Sequence, residues 1–174
     1  MLELVDFEEL RAVLRLQKED LEDYPDLAAI ISSVYAAIES HTWRTLEYSD
    51  EHVETIWFDG RIVSLKALPI IDLASVVLDG MEVQSLAKIR QDGIEFLSPM
   101  RGRAEVTYEG GYETAPPALK RAATLQVLHE FQRKDKVGAE SVSNEGGFTR
   151  WPQMGLLDEV KRLLAPFVHP ARLI

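Results

Sequence analysis

Four histidines, at 41, 52, 129 and 169, are the side chains best suited to move a proton or hold a metal near neutral pH, and they fall in four separate segments. The stretch HEFQR, 129–133, opens like the helix that presents two histidines to zinc one turn apart. Arg133 stands where the second ligand would have to be, so that reading fails. The absence of cysteine removes thiolate metal sites, disulfides and thiol nucleophiles together. No G-x-S-x-G elbow, P-loop or G-x-G-x-x-G is present. EGG at 109–111 and again at 145–147 reads as turn glycine rather than a phosphate cradle. Glu19–Asp20 and Glu22–Asp23 lack the alternating spacing of a calcium loop and read as solvated charge. Asp72 and Asp79 flank one strand, and a turn accounts for Asp79. These types and spacings assemble no nucleophile, base and oxyanion donor. The expectation is no catalytic residue, no metal and no cofactor.

Charge narrows the partners. The net charge is −10, and the basic stretches RGR at 101–103 and KDK at 134–136 are short. Proteins that track phosphates gain affinity by releasing counterions to clustered Lys and Arg, so sequence-specific DNA binding is not expected. Like charge would instead keep DNA from sticking. At 174 residues and 46% hydrophobic, the chain can bury a core as one domain. No apolar run reaches the 18 residues of a membrane span, and Glu3 and Asp6 do not suit a signal peptide. A soluble protein, made and assembled in a cytoplasm and not bound to membrane, is expected.

The positioning elements change period along the chain. Asp6 followed by Glu9 is a capping pattern, and Phe7, Leu10 and Leu14 continue on one face to about Leu16. From Pro25, the residues Leu27, Ile30, Ile31, Val34, Tyr35 and Ile38 form an amphipathic stripe running to about Thr42. The middle has strand character, with Asp-Gly at 59–60, 79–80 and 92–93, the dipeptide of two-residue hairpins. A turn at 59–60 would set Trp57 against Ile62 and Ile56 against Val63, leaving apolar residues on both faces. One face would be core and the other a contact with a neighbouring molecule, or both would be buried. Ala104, Val106 and Tyr108 alternate with Glu105 and Thr107 as in a strand with one wet face. The middle reads as an antiparallel meander of six or seven strands. A helix follows the doubled proline, Pro117 to Lys134, with Leu119, Ala123, Val127 and Phe131 on one stripe. Residues 137–155 have no period but include Phe148, Trp151 and Met154. A last helix, Leu156 to Ala165, stops at Pro166. The expected class is α+β: a bundle of about four helices (6–42 and 116–165) with an inserted β-meander of hairpins (44–108), a mobile arm (137–155) and a tail (166–174).

That order resembles the head–tail connector (adaptor) family of long-tailed bacteriophages and prophages. The family pattern is a strand ending V-T-Y-x-x-G-Y that leads into P-x-x-L-K-x-A and a long helix. It is matched here by Val106, Thr107, Tyr108, Gly111, Tyr112, Pro116, Leu119, Lys120 and Ala122. LPI at 68–70, before a strand closing on LDG at 78–80, resembles the family at the same point. The chain departs from compact members by extra length in the β region, residues 44–103.

The resemblance implies a non-catalytic virion protein of the neck, between head and tail. It implies a ring, a dodecamer, on the portal protein, extending the DNA channel and offering a platform to head-closure or tail-completion proteins. DNA would pass through without sequence-specific binding. On this reading Phe148, Trp151, Met154, Phe167 and Leu173 are candidate portal or neighbour contacts, and Trp57 and Ile62 are candidate subunit contacts. The alternative is a small α+β enzyme or ligand-binding domain with a pocket between sheet and helices. A head-closure or tail-terminator component is a third reading, though such proteins are dominated by β structure.

Overall fold

The computed structural model describes residues 2–17, 21–133, 141–144, 147–150 and 155–169. It divides into two compact units. One comprises Glu3–Ser40 and Pro116–Pro166, and is helical. The other holds Leu2, His41–Ala115 and the segment from Phe167 onward, and is built on a sheet. The class is α+β, with four α-helices and a five-stranded antiparallel sheet among the described residues.

In the helical unit, α1 (Phe7–Leu14) begins where the Asp6 carboxylate accepts from the Glu8 amide at 2.8 Å and the Glu9 amide at 3.4 Å. Helix α2 (Pro25–Thr42) starts at the proline that needs no amide partner in a first turn. Its stripe is buried at Leu27, Val34 and Ile38. Helix α3 (Pro117–Arg133) buries Leu119, Ala122, Ala123 and Val127. A short strand pair follows, β6 (Ser141–Asn144) with β7 (Gly147–Arg150), inside the stretch whose sequence has no period. Strand β7 includes Phe148. Helix α4 (Asp158–Leu164) has no side-chain cap of its own. The buried Gln126 of α3 serves instead: its Oε1 accepts from the Leu157 amide at 3.0 Å, and its Nε2 donates to the Gly155 carbonyl at 3.2 Å. The chain then turns once more through Ala165–Phe167, past Pro166, in a 3-10 turn.

The sheet unit is organised around one long strand. Its strands are β1 (Ser49–Ser64), β2 (Ile70–Leu78), β3 (Met81–Glu82), β4 (Ala87–Arg90) and β5 (Gly93–Gly110). The order is β1-β5-β2-β3, with β4 also on β5, so β5 lies between β1 and β2 and the strands do not follow chain order as in a meander. The sheet has five strands rather than six or seven because two long strands replace several short ones. Ala104, Val106 and Tyr108 of β5 all face the core, as their alternation predicts, with Phe58, Val63, Leu73, Val76, Ile94 and Phe96 around them.

The three Asp-Gly pairs behave differently. Asp79–Gly80 is the two-residue turn expected, joining Leu78 to Met81. Asp59–Gly60 is not a turn: β1 runs straight through it, with Asp59 opposite Arg101 and Gly60 opposite Met100. The turn expectation fails because β5 is long enough to pair with β1 on both sides of this point. The ladder is broken there by a bulge, since Ile62 next pairs with Glu95 and residues 96–99 of β5 have no partner on β1. Pro99 lies among them and has no amide to offer a ladder. At 92–93 the hairpin forms one residue early, because Arg90 pairs with Gly93. Gly93 is needed as a strand residue: a Cβ there would stand 1.9 Å from the Val63 carbonyl oxygen.

Candidate functional site

Alternation on β1 sends even-numbered residues 52 to 58 toward the core and odd-numbered ones outward, up to the bulge. The core side carries His52, Glu54, Ile56 and Phe58, opposite Tyr108, Val106, Ala104 and Gly102. Glu54 is a carboxylate on the inward face, and one backbone amide and a phenol explain it. Its Oε1 accepts from the Lys66 amide at 2.8 Å and from the Tyr108 hydroxyl, which itself accepts from the Ala67 amide at 2.9 Å. Burial, then Glu54, raises the Tyr108 phenol above its ordinary value, so it remains a neutral donor.

The outward side sets exposed apolar residues among charged and polar ones, with Thr55 opposite Glu105 and Asp59 opposite Arg101. Val53 is 57% exposed and Trp57 61% exposed. Trp57 lies opposite Arg103, and the Arg101 guanidinium sits over its ring at 5.4 Å from the centroid. Arg101 Nε is 3.7 Å from an Asp59 carboxylate oxygen. Beyond the bulge, Ile62 is 46% exposed and pairs with Glu95 on the side away from Val63 and Ile94, which are buried. Trp57 and Ile62 therefore do not face each other across a hairpin. They share the outward face of one strand, with the bulge between them. Ile56 likewise lies opposite Ala104, not Val63.

β1 is also the edge of its sheet, sixteen residues long, with no strand on its other side among the described residues. An open edge of this length is a template for another strand. The HVETIW alternation, with Glu54 inward and Val53 and Trp57 outward, was the sequence signal for this surface. Reading it required knowing which face was core.

Phe167, Val168 and His169 pack within the sheet unit. Phe167 is buried, its ring edge-on to Tyr112 at 6.3 Å, so this candidate contact faces its own chain. His169 is buried; its amide donates to the Thr42 carbonyl at 2.8 Å, and Nε2 donates to the Leu65 carbonyl at 3.0 Å. Its ring meets Trp43 edge-on at 5.6 Å. Arg44 donates to the Val168 carbonyl at 3.4 Å. Burial lowers the Arg44 guanidinium and raises the Tyr112 phenol, while their mutual attraction opposes both shifts. Trp151, Met154 and Leu173 lie outside the described residues.

The histidines stay apart in function. His52 packs its ring at a tilt against Tyr108, with centroids 5.5 Å apart, and donates from Nε2 to the Gly110 carbonyl at 3.3 Å. His129 sits in α3, its pKa lowered by burial and by Arg133. Among the described residues no group of three His, Cys, Asp or Glu side chains could hold a metal ion. A depression of about 420 Å³ along α1 is lined by Glu8, Arg11, Ala12, Arg15, Leu16 and Gln17. Glu8 and Arg11 there already pair with each other at 2.9 Å. Among the described residues, no helix is long and apolar enough to cross a membrane.

The junction after β5 marks the passage between units. Gly111 donates to the Pro69 carbonyl at 3.0 Å and Tyr112 to the Leu46 carbonyl at 2.9 Å, holding the GGY stretch to the sheet unit. The division falls between Ala115 and Pro116, at the doubled proline. No protein family and no curated protein matches the chain. Among solved structures it is similar in fold to a chain described as "Virion of native gene transfer agent (GTA) particle". The TM-score is 0.51 at 18% identity, over 85% of this chain and 79% of that one.

Proposed function

We propose that this protein is a non-catalytic structural component of a phage-like particle, a head–tail connector (adaptor) in the neck. Its copies close into a ring, a dodecamer, on the portal, extend the DNA channel and offer a platform to head-closure or tail-completion proteins. The observation that carries the reading is the fold likeness to a chain of a gene transfer agent virion, spanning most of both chains. The V-T-Y-x-x-G-Y strand end before the proline-led helix adds to it, because that junction falls where the helical and sheet units divide. Exposed apolar side chains on the sheet, Val53, Trp57 and Ile62 among them, suit an assembling subunit, with Trp57 and Ile62 as contacts. The net charge of −10 suits a channel that DNA slides through without being held.

On this reading, Phe148, Trp151, Met154 and Leu173 meet the portal or a neighbour, and Phe167 and His169 anchor the tail that delivers Leu173. Mixing the protein with its portal and imaging the product by cryo-EM is the test, and a ring of density beneath the portal is the expected result. Trp151→Ala and a chain ending after His169 should each weaken portal binding. A chain that binds no portal, and is missing from purified particles, would overturn the proposal.

A further inference from the structure

We propose that neighbouring copies join by strand addition, with β4 of one copy pairing along the N-terminal half of β1 of the next, so that the sheet continues from subunit to subunit. This deepens the ring reading and rests on it. A ring requires each chain to present two different, complementary surfaces, and the sheet unit has two open edges of unlike character.

The first edge is β1. Its start is exposed at Asp50, Glu51 and Val53, and neither the Asp50 nor the Glu51 carboxylate is in an ion pair among the described residues. The Ser49 hydroxyl accepts from the Glu51 amide at 3.2 Å and donates to the Glu51 carbonyl at 3.1 Å, so the backbone edge is open from Val53 onward. The second edge is β4, which pairs only with β5. It presents Lys88, Ile89 and Arg90, all exposed, with Leu86 just before them. Arg90 is committed to its own hairpin, 3.5 Å from Asp92 and 3.2 Å from Glu95. Lys88 has no such partner, and it lies opposite Glu95 on the same outward face as Ile62. Glu51 is exposed two residues before Val53, at the register shift between Ser49 and His52, which places its carboxylate at the start of this edge. Opposite charges set side by side on one face of an extended sheet attract.

The edge beside β2 is closed to this role, which singles out β4. The Val76 amide is taken by the Glu82 carboxylate at 3.1 Å, the Val76 carbonyl by the Val83 amide at 2.8 Å, and the Leu73 carbonyl by Gln84 Nε2. One chain thus holds an open strand with an acidic start and an open strand with basic side chains. The occupant such a pair of edges fits is a second copy of itself.

The cysteine-free chain makes the test clean. Full-length Glu51→Cys and Lys88→Cys variants are mixed and treated with a short bis-maleimide linker. The expected result is a heterodimer from the mixture, little dimer from either variant alone, and a ladder of multimers from the double variant. Dimers of Glu51→Cys with itself, or a mixture that links no better than its parts, would overturn the pairing. A second arm reverses charge. Lys88→Glu should weaken self-association about tenfold, the scale of turning a cross-strand attraction into a repulsion. Adding Glu51→Lys to the same chain should restore it, and failure of that rescue counts against the proposal. Rings imaged on the portal without the cross-link would remove the strand pairing and leave the ring reading standing. No rings and no cross-link would remove both.

Discussion

Replacing Tyr108 by phenylalanine takes one oxygen from the centre of the sheet unit and leaves the packing of the ring intact. That oxygen joins three groups: it donates to Glu54 and accepts from the Ala67 amide at 2.9 Å. Tyr108 is 0% exposed and Ala67 1%, so water does not take the vacated place. An orphaned buried amide costs about 1–3 kcal/mol. Glu54 loses its phenol donor as well but keeps the Lys66 amide, which places this second loss near ~1 kcal/mol. The variant should therefore be less stable by about 2–4 kcal/mol. At roughly 2–4 °C per kcal/mol for a chain of this length, melting falls by about 4–16 °C. Urea titration should show an earlier midpoint with an unchanged slope, since the surface exposed on unfolding is the same. The alkaline limb gives an independent check. Burial and Glu54 raise the folded phenol, so above the ordinary tyrosine value of 10.0 the unfolded chain releases this proton first. Stability is complete below that pH and declines above it, and the variant should lose this part of the decline. A loss under about 0.5 kcal/mol would refute the reasoning, because two buried hydrogen bonds do not vanish at that cost.

Gly93→Ala forces a Cβ to within 1.9 Å of the Val63 carbonyl oxygen, so β1 and β5 must separate where Ser64 meets Gly93; circular dichroism should show strand loss or the chain should fail to fold. Gln126→Leu keeps the bulk but strips α4 of its borrowed cap and leaves the Leu157 amide and Gly155 carbonyl without their partner. A loss of about 2 kcal/mol is expected by thermal denaturation, with hydrogen exchange rising in α4 ahead of α2. Burial lowers the pKa of His169, so its contribution is present above the ordinary histidine value of 6.5 and is lost as pH falls below it. His169→Gln should flatten the stability profile below pH 6.5, measured by denaturant midpoint.

The helices were legible because their signals are local. Asp6 caps α1, Pro25 opens α2 and Pro117 opens α3 as the residue types require. The alternation of Ala104, Val106 and Tyr108 likewise named the buried face of β5. The candidate surface was only half legible. Trp57 and Ile62 were singled out, but on a hairpin that does not exist, because the same Asp-Gly pair can turn a chain or pass through a strand. What decides is whether a partner strand continues alongside, and β5 does. Phe167 was read as an outward contact since a terminal apolar run has no period to reveal its partner. The bonds of its neighbours Val168 and His169 to Arg44, Thr42 and Leu65 join residues more than a hundred positions apart.

By itself, then, the sequence determined where helices begin and which way β5 faces. Those depend on single residues and their near neighbours: a capping carboxylate, a proline without an amide, a period of two. Only the tertiary structure decided the strand order, the bulge at Gly60, the inward carboxylate of Glu54 and the open edge of β1. Each of these is set by which distant backbone supplies or withholds a hydrogen-bond partner, and spacing along the chain does not encode that choice.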